Sequence, residues 1–353
     1  MDERIIRIAL PVHLLREMDA VVTSRIGGYE TRAEFVLDAI RERILEISIQ
    51  AAPEVTPPPQ VVATRLDSPN SPYAPGKVPL EEAGAPITVP TIPACRRGFV
   101  LSSAENLSDA QTGPLFGLHN RDFPSLWALA FLAERAVEEP VPLEDFLCDV
   151  TREAWNLGQH LKVLEAKTGR KCTAIFPTNM EKRKQAEVGF RSFAVGDCRQ
   201  EGSRFQTFGP LFQWQAIGLL LKPGCSEPLL GITESGWELL EQVHGISLEE
   251  PHRRDQAEIF LDHLAANSPG DLMGFVQVVH AVGLGGTSRS ALLGHFENNW
   301  PRWTANEVST NSAGYIARAR EWGLLEPKQK KSLYQLTEFG SQWLQLMNVK
   351  VES

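Results

Sequence analysis

Ala216-Ile217-Gly218-Leu219-Leu220, followed by Thr233-Glu234-Ser235-Gly236-Trp237, returns along the chain as Trp322-Gly323-Leu324-Leu325 followed by Thr337-Glu338-Phe339-Gly340-Ser341. In both copies a Gly-Leu-Leu run leads through a turn to Thr-Glu-x-Gly, and an apolar helix follows. A second echo precedes each copy. Phe131-Leu132-Ala133 with Pro142-Leu143-Glu144-Asp145-Phe146 is answered by Phe260-Leu261-Asp262 with Asp271-Leu272-Met273-Gly274-Phe275. Recurrence of this kind marks a repeated structural unit. Helical apolar periodicity runs through residues 126–136, 143–164, 259–266, 272–282 and 315–322, so this region is expected to be mainly α with small β elements.

Composition sets the limits of that region. A chain of 353 residues suits two or three domains. Between residues 51 and 93 stand eleven Pro with few aromatics and little periodicity, the mark of an extended, polyproline-like linker. The expected division is therefore residues 1–50, a Pro-rich linker over 51–114, a first helical unit over 115–250 and a second over 251–353.

Several classes are excluded. Eight Trp and 16 Phe supply large core side chains, which argues against a fibrous or wholly disordered chain. Even an apolar run such as Trp127 to Ala133 falls far short of the roughly 20 residues that cross a bilayer, so no membrane contact is expected. The opening Met1-Asp2-Glu3 carries no secretory pattern, and a cytoplasmic location is expected. Cys95, Cys148, Cys172, Cys198 and Cys225 contain no C-x-x-C and suit free thiols rather than disulfides or a zinc knuckle. With a net charge of −9, DNA binding must come from local basic patches.

Residues 1–50 form a pattern of their own. Arg4-Ile5-Ile6-Arg7-Ile8-Ala9-Leu10 alternates, so Ile6, Ile8 and Leu10 share one face of a short strand while Ile5, Arg7 and Ala9 share the other. Pro11 ends it, and Leu14, Leu15, Met18, Val21 and Val22 follow at helical spacing up to Gly27-Gly28. Thr31 and Glu34 then make a capping box for a second helix whose apolar face is Phe35, Val36, Ala39, Ile40 and Ile44. One strand and two helices of this length cannot enclose a core alone, but two chains pairing their strands could.

Over residues 4–47, with Leu10-Pro11 after the strand and Gly28 to Val36 opening the second helix, the sequence resembles the ribbon-helix-helix family of prokaryotic DNA-binding dimers. The resemblance implies a homodimer through residues 1–50 that lays a two-stranded ribbon in the major groove. Arg4, Ile5, Arg7 and Ala9 would then face the DNA, with Thr31 and Arg32 at a phosphate. Two of the three outward strand positions here are apolar, so direct readout would rest on Arg7 and on contacts to thymine methyls. The segment has seven Arg against nine acids, which weakens nonspecific attraction. The alternative use of such a domain is dimerisation alone.

The stretch from Asn311 to Leu325 reads as a helix ending in Gly-Leu-Leu, followed by Lys328, Lys330 and Lys331 in a turn, a short strand over 332–336 and a capped helix from Thr337. Across roughly 255–347 this order resembles the winged-helix family. The resemblance implies that Ile316, Ala319 and Trp322 pack inward, that Tyr315 and Arg318 face the major groove, and that the three Lys form a wing on phosphates. An earlier segment follows the same logic, with a helix over 155–167, strands over 172–176 and 189–195, and Lys182, Arg183 and Lys184 at the tip. The unit over 211–243 lacks basic residues in its turn and is expected to pack on protein.

Signals for catalysis are thin. Glu165-Ala166-Lys167, with Asp145 or Asp149, echoes a metal-dependent nuclease motif, but its spacing suits an ordinary helix. The glycines from Gly283 to Gly286 lack the Lys of a phosphate loop and suit a turn between helices. His119, His160, His244, His252, His263, His280 and His295 show no pair at metal spacing. The expectation is thus a non-enzymatic protein without metal or cofactor. As a dimeric prokaryotic transcriptional regulator it would bind double-stranded DNA through an N-terminal β-ribbon and a C-terminal winged helix. The alternative is an architectural or adaptor subunit of a plasmid-maintenance, replication-initiation or phage-defence assembly, its winged helices holding a protein partner.

Overall fold

The computed structural model describes residues 114–115, 120–137, 139–169, 176–180, 182–201, 204–221, 227–243, 245–246, 248, 252–285, 287–327 and 333–352, with Leu15, Met18, Asp19, Thr23, Arg32 and Val36 described singly. The chain divides into two compact units, Met1–Ser71 with Lys328–Leu333, and Pro72–Pro327 with Tyr334–Ser353. All elements below belong to the second, which is mainly helical.

Helix α1 (Phe123–Arg135) starts at a Pro in its first turn and is buried from Phe123 to Ala133, a core helix rather than an amphipathic one. The short strand β1 (Val141–Pro142) leads into α2 (Leu143–Thr168), whose buried stripe is Phe146, Leu147, Val150, Ala154 and Leu161. Helix α3 (Arg183–Phe190) runs into a π-helical turn (Arg191–Val195). A hairpin of β2 (Asp197–Glu201) and β3 (Arg204–Phe208) follows, then the single turn α4 (Pro210–Gln213). Strands β4 (Ile217–Leu220) and β5 (Leu229–Ile232) pair antiparallel, and β1 joins the free side of β5, giving the order β1-β5-β4. Helix α5 (Glu234–Val243) closes this half.

The second half comprises α6 (Arg254–Asn267), α7 (Pro269–Gly283), α8 (Arg289–Asn299), α9 (Ala305–Glu321) and α10 (Glu338–Glu352). Ser288 caps α8, so the Gly-rich stretch before it is a turn between helices. Thr304 and Glu307 cap α9 reciprocally, as a capping box does. One continuous hydrophobic core runs from Leu115 to Trp343 and joins both halves. Among the described residues no helix is long and apolar enough to cross a membrane.

The repeat seen in the sequence is a repeat in space. Ile217 faces Ile232 in the first half, and Leu325 faces Leu336 in the second. Thr233 N–H donates to the Ala216 carbonyl and Thr337 N–H to that of Leu324, both at 3.1 Å. The hydroxyl of Thr233 donates to the Gln215 carbonyl and that of Thr337 to Gly323, and each accepts from the N–H of its own Gly, Gly236 or Gly340. Gln215 (φ 54°) and Gly323 (φ 68°) occupy the same left-handed position, which is costly for the Gln and free for the Gly.

One expected element is different. Residues 189–195, read as a strand, are helical, because Phe190, Ala194 and Val195 bury together at helical spacing. Of the companion strand only Phe176 is described, and it lies in a bend. The hairpin β2–β3 was not expected from the sequence.

A Cβ on Gly236 would overlap the Ala216 carbonyl oxygen, and one on Gly340 that of Leu324, whereas Gly294 in α8 has open space. Gly236→Ala and Gly340→Ala should therefore each destabilise the protein by roughly 1–3 kcal/mol. Gly294→Ala should stabilise it by up to about 1 kcal/mol, the usual helix propensity gain. Urea unfolding of the three variants checks both signs.

Candidate functional site

Of the residues expected to touch DNA, Arg4, Ile5, Arg7, Ala9, Thr31, Lys328, Lys330 and Lys331 lie outside the described residues. Arg32 is helical and exposed, and its guanidinium pairs with Asp19 at 2.5 and 2.7 Å. Lys182, Arg183 and Lys184 are exposed, but they open helix α3 instead of tipping a wing.

Tyr315 and Arg318 require a correction: both are buried, with Arg318 at 0% exposure. Tyr315, Arg318 and Trp322 lie three and four residues apart on one stripe of α9, and that stripe faces other polar groups inside the protein. Arg318 Nη1 and Nη2 donate to the two Asp271 oxygens, both at 2.7 Å, while Nε donates to Asp122 Oδ1 at 2.8 Å. Asp271 also accepts from Tyr315 Oη at 2.5 Å and Trp214 Nε1 at 2.9 Å, and Asp122 from Trp322 Nε1 at 2.6 Å. Tyr315 Oη in turn accepts from Leu115 N–H at 2.7 Å.

The two carboxylates stand at helix N-termini, Asp122 just before α1 and Asp271 in the first turn of α7, where the dipole favours negative charge. Trp214 follows α4 and Trp322 follows α9 in the repeat. Each reaches an Asp of the other half, and Phe260 lies between them at 5.1 and 4.3 Å. Glu321 completes the network by capping α1 from α9, accepting from the N–H groups of Asp122 (2.6 Å) and Phe123 (3.0 Å). Arg121 at 3.1 Å and His252 Nε2 at 3.2 Å complete its charge environment.

Burial alone would raise the Asp271 carboxyl, but the Arg318 charge and the hydrogen bonds around it hold it below the ordinary carboxylate range. Glu321 is held low in the same way by Arg121 and His252 against the cost of burial. Burial disfavours the Arg318 cation, but Asp122 and Asp271 outweigh it and raise its pKa well above the usual value. Burial and the neighbouring Asp271 charge push the Tyr315 hydroxyl up. With four donors on Asp271, two on Asp122 and no opening to solvent, this cluster fixes structure and offers no reacting atom.

The face that α9 turns outward is Asn306, Thr310, Ala313, Ala317 and Arg320, spaced three or four residues apart. The Arg320 guanidinium lies over the Tyr334 ring at 5.1 Å. His280 and His295, which the sequence left separate, have ring centroids 5.9 Å apart, and His295 Nε2 donates to Gln277 Oε1 at 2.7 Å. Among the described residues no group of three or more His, Cys, Asp or Glu could hold a metal. Glu165 and Lys167 lie in α2 together with Asp145 and Asp149.

Ile316, Ala319 and Trp322 are buried as expected, but sequence reasoning passed over the acceptor of the Trp322 indole and over Asp122, Trp214, Asp271 and Glu321. The available signal was the two Trp at equivalent repeat positions, since a buried indole N–H needs an acceptor. Comparison with family models, curated proteins and solved structures finds no match for the chain.

Arg318→Met leaves two buried carboxylates without a countercharge and should cost roughly 3–5 kcal/mol. Trp322→Phe removes one donor to Asp122 and should cost about 1–3 kcal/mol. His263 is held low by burial, against the bond to the Trp214 carbonyl that raises it, so it takes a proton more readily when unfolded. Stability should therefore start to fall below about pH 6.5. Asp271 and Glu321, depressed in the folded state, contribute stability above about pH 4 that is lost as pH falls further. Unfolding midpoints measured from neutral to acid pH should show both declines, and a flat profile would contradict the assignment.

Proposed function

We propose that the protein is a non-enzymatic, dimeric DNA-binding protein, used as a prokaryotic transcriptional regulator, that contacts DNA through residues 4–47. The observation that carries this reading is the alternating strand Arg4 to Leu10 followed by two short amphipathic helices, a pattern that leaves its core open without a second chain. A winged-helix-like reading of the C-terminal region draws on the order α1, β1, α2, α3 and, after the inserted β2–β3 hairpin and α4, β4, β5, α5, and on the three-stranded sheet β1-β5-β4. Tyr315 and Arg318 have no part in DNA contact on this reading.

The second reading, an adaptor whose C-terminal region holds a protein partner, is favoured by helix α9. Tyr315 and Arg318 are turned inward, and its outward face is Asn306, Thr310, Ala313 and Ala317 with Arg320 as the single long donor, held over the Tyr334 ring. A helix that reads bases usually presents long hydrogen-bonding side chains.

Fluorescence anisotropy on duplexes from the upstream region separates the two. A regulator should prefer a discrete, inverted-repeat duplex, and Arg7→Ala should reduce that preference by roughly tenfold to a hundredfold, the worth of one good base contact. An adaptor should show no sequence preference and should copurify with a stoichiometric protein. Equal binding of wild type and Arg7→Ala to every duplex would remove the ribbon as the reading element.

A further inference from the structure

The charge of this chain is unevenly placed. Over much of the described surface, cations are matched by neighbouring acids: Arg152 by Asp149, Arg253 by Asp255 at 3.1 Å, Arg254 by Glu258 at 2.8 Å, and Arg191 by both Glu144 and Asp197 at 2.5 Å. The corner where α3 meets α2 differs. Residues 177–178 cross α2 where Gly158 leaves no room for a side chain against the Pro177 carbonyl, and Gln159 Nε2 donates to the Thr178 carbonyl at 3.2 Å. That crossing brings the start of α3 against α2. The Arg183 guanidinium lies over the Trp155 ring at 4.8 Å and is steadied by Glu187 at 2.7 Å.

Lys162 stands one turn beyond Gly158 on the same side of α2, and Lys182 and Lys184 flank Arg183. All four cations are exposed, and among the described residues no carboxylate pairs with Lys162 or Lys184. Fold stability does not account for Lys162 or Lys184. The first turn of α3 holds no acidic residue, and cations there oppose the helix dipole. From Trp155, beneath Arg183, to the exposed Lys162 is seven residues of α2. At 1.5 Å per residue that is about 10 Å, or about three nucleotide steps along one strand of a duplex.

We propose that Lys162, Lys182, Arg183 and Lys184 form a docking surface for the phosphate backbone of duplex DNA, one that holds the duplex without reading its sequence. The proposal rests on the DNA-binding reading above and deepens it by naming a second contact. Phosphate fits this surface better than an acidic protein does. Protein interfaces centre on buried aromatic or Arg anchors; among the described residues the exposed large apolar side chains include no aromatic, and the one Arg of the corner, Arg183, is already held on Trp155 and by Glu187. Val163, Met180 and Val188 are the apolar side chains exposed in these segments, and none of them is an anchor of that kind.

The test uses the full chain and a fluorescein-labelled random duplex of about 24 base pairs, titrated across a salt series. Lys162→Gln/Lys182→Gln/Lys184→Gln should bind at least tenfold more weakly at low salt, and the slope of log affinity against log salt should fall by roughly two to three units, nearly one for each phosphate that is no longer neutralised. The ratio of affinities for upstream and random duplexes should stay at the wild-type value. Unchanged unfolding midpoints, expected for exposed side chains, separate weaker binding from misfolding. If wild type binds DNA and the triple variant matches its affinity and slope, the corner does not touch DNA and the proposal fails alone. If wild type binds no duplex even at low salt, the DNA-binding reading fails and takes the corner with it.

Discussion

A guanidinium held between two carboxylates, Arg318 between Asp122 and Asp271, governs how the two halves of the helical region meet. Taking three charges out of water is costly, and their mutual attraction offsets the cost only if the carboxylate lone pairs find donors. The bidentate fork, Tyr315, Trp214 and Trp322 supply those donors here, and two helix N-termini add favourable potential. Because each Trp reaches across to the other half's Asp, sliding one half over the other would strand charges on both sides. The network selects a single register more than it adds stability.

The same network explains how the chain could be legible in its repeat and misleading in its faces. Thr-Glu-x-Gly and the run before it are decided by local chemistry: a hydroxyl that caps, a Gly that admits a carbonyl, a left-handed residue that ends a helix. Such features can be read from a few neighbouring residues, and α1, α2, α6, α7 and α9 were readable from spacing, whereas α3 was not. The orientation of Tyr315 and Arg318 could not be. Periodicity assigns polar residues to solvent, and the partner that reverses this for Arg318 lies 196 residues away in sequence. Residues 189–195 show the other limit, since a short run containing Phe, Ala and Val suits a strand or a helix until its packing partners are known.

Correcting those faces changes where function can reside. Helix α9 keeps Tyr315 and Arg318 for the core, so it contributes register, and of its long donors only Arg320, held over the Tyr334 ring, lies on the outward face. Any selectivity for a DNA sequence is then left to residues 4–47, whose fold rests on resemblance. The helical body would supply position and affinity. This division suits a molecule in which one element reads and another holds, because the second contact raises the effective concentration of the first.

Charge imposes a further condition on that division. A chain with a net charge of −9 repels a duplex at a distance, and the repulsion reaches about 30 Å at 0.01 M salt but only about 8 Å at physiological ionic strength. Lowering salt therefore strengthens two opposed terms: attraction at the Lys162–Lys184 corner and repulsion by the acidic remainder. Counterion release at the corner is local and persists while the phosphates are in contact, whereas the long-range repulsion is screened first. On the proposal made above, an acidic protein with a cationic corner would dock through that corner, and the repulsion that opposes nonspecific contact elsewhere on its surface would help to enforce the orientation.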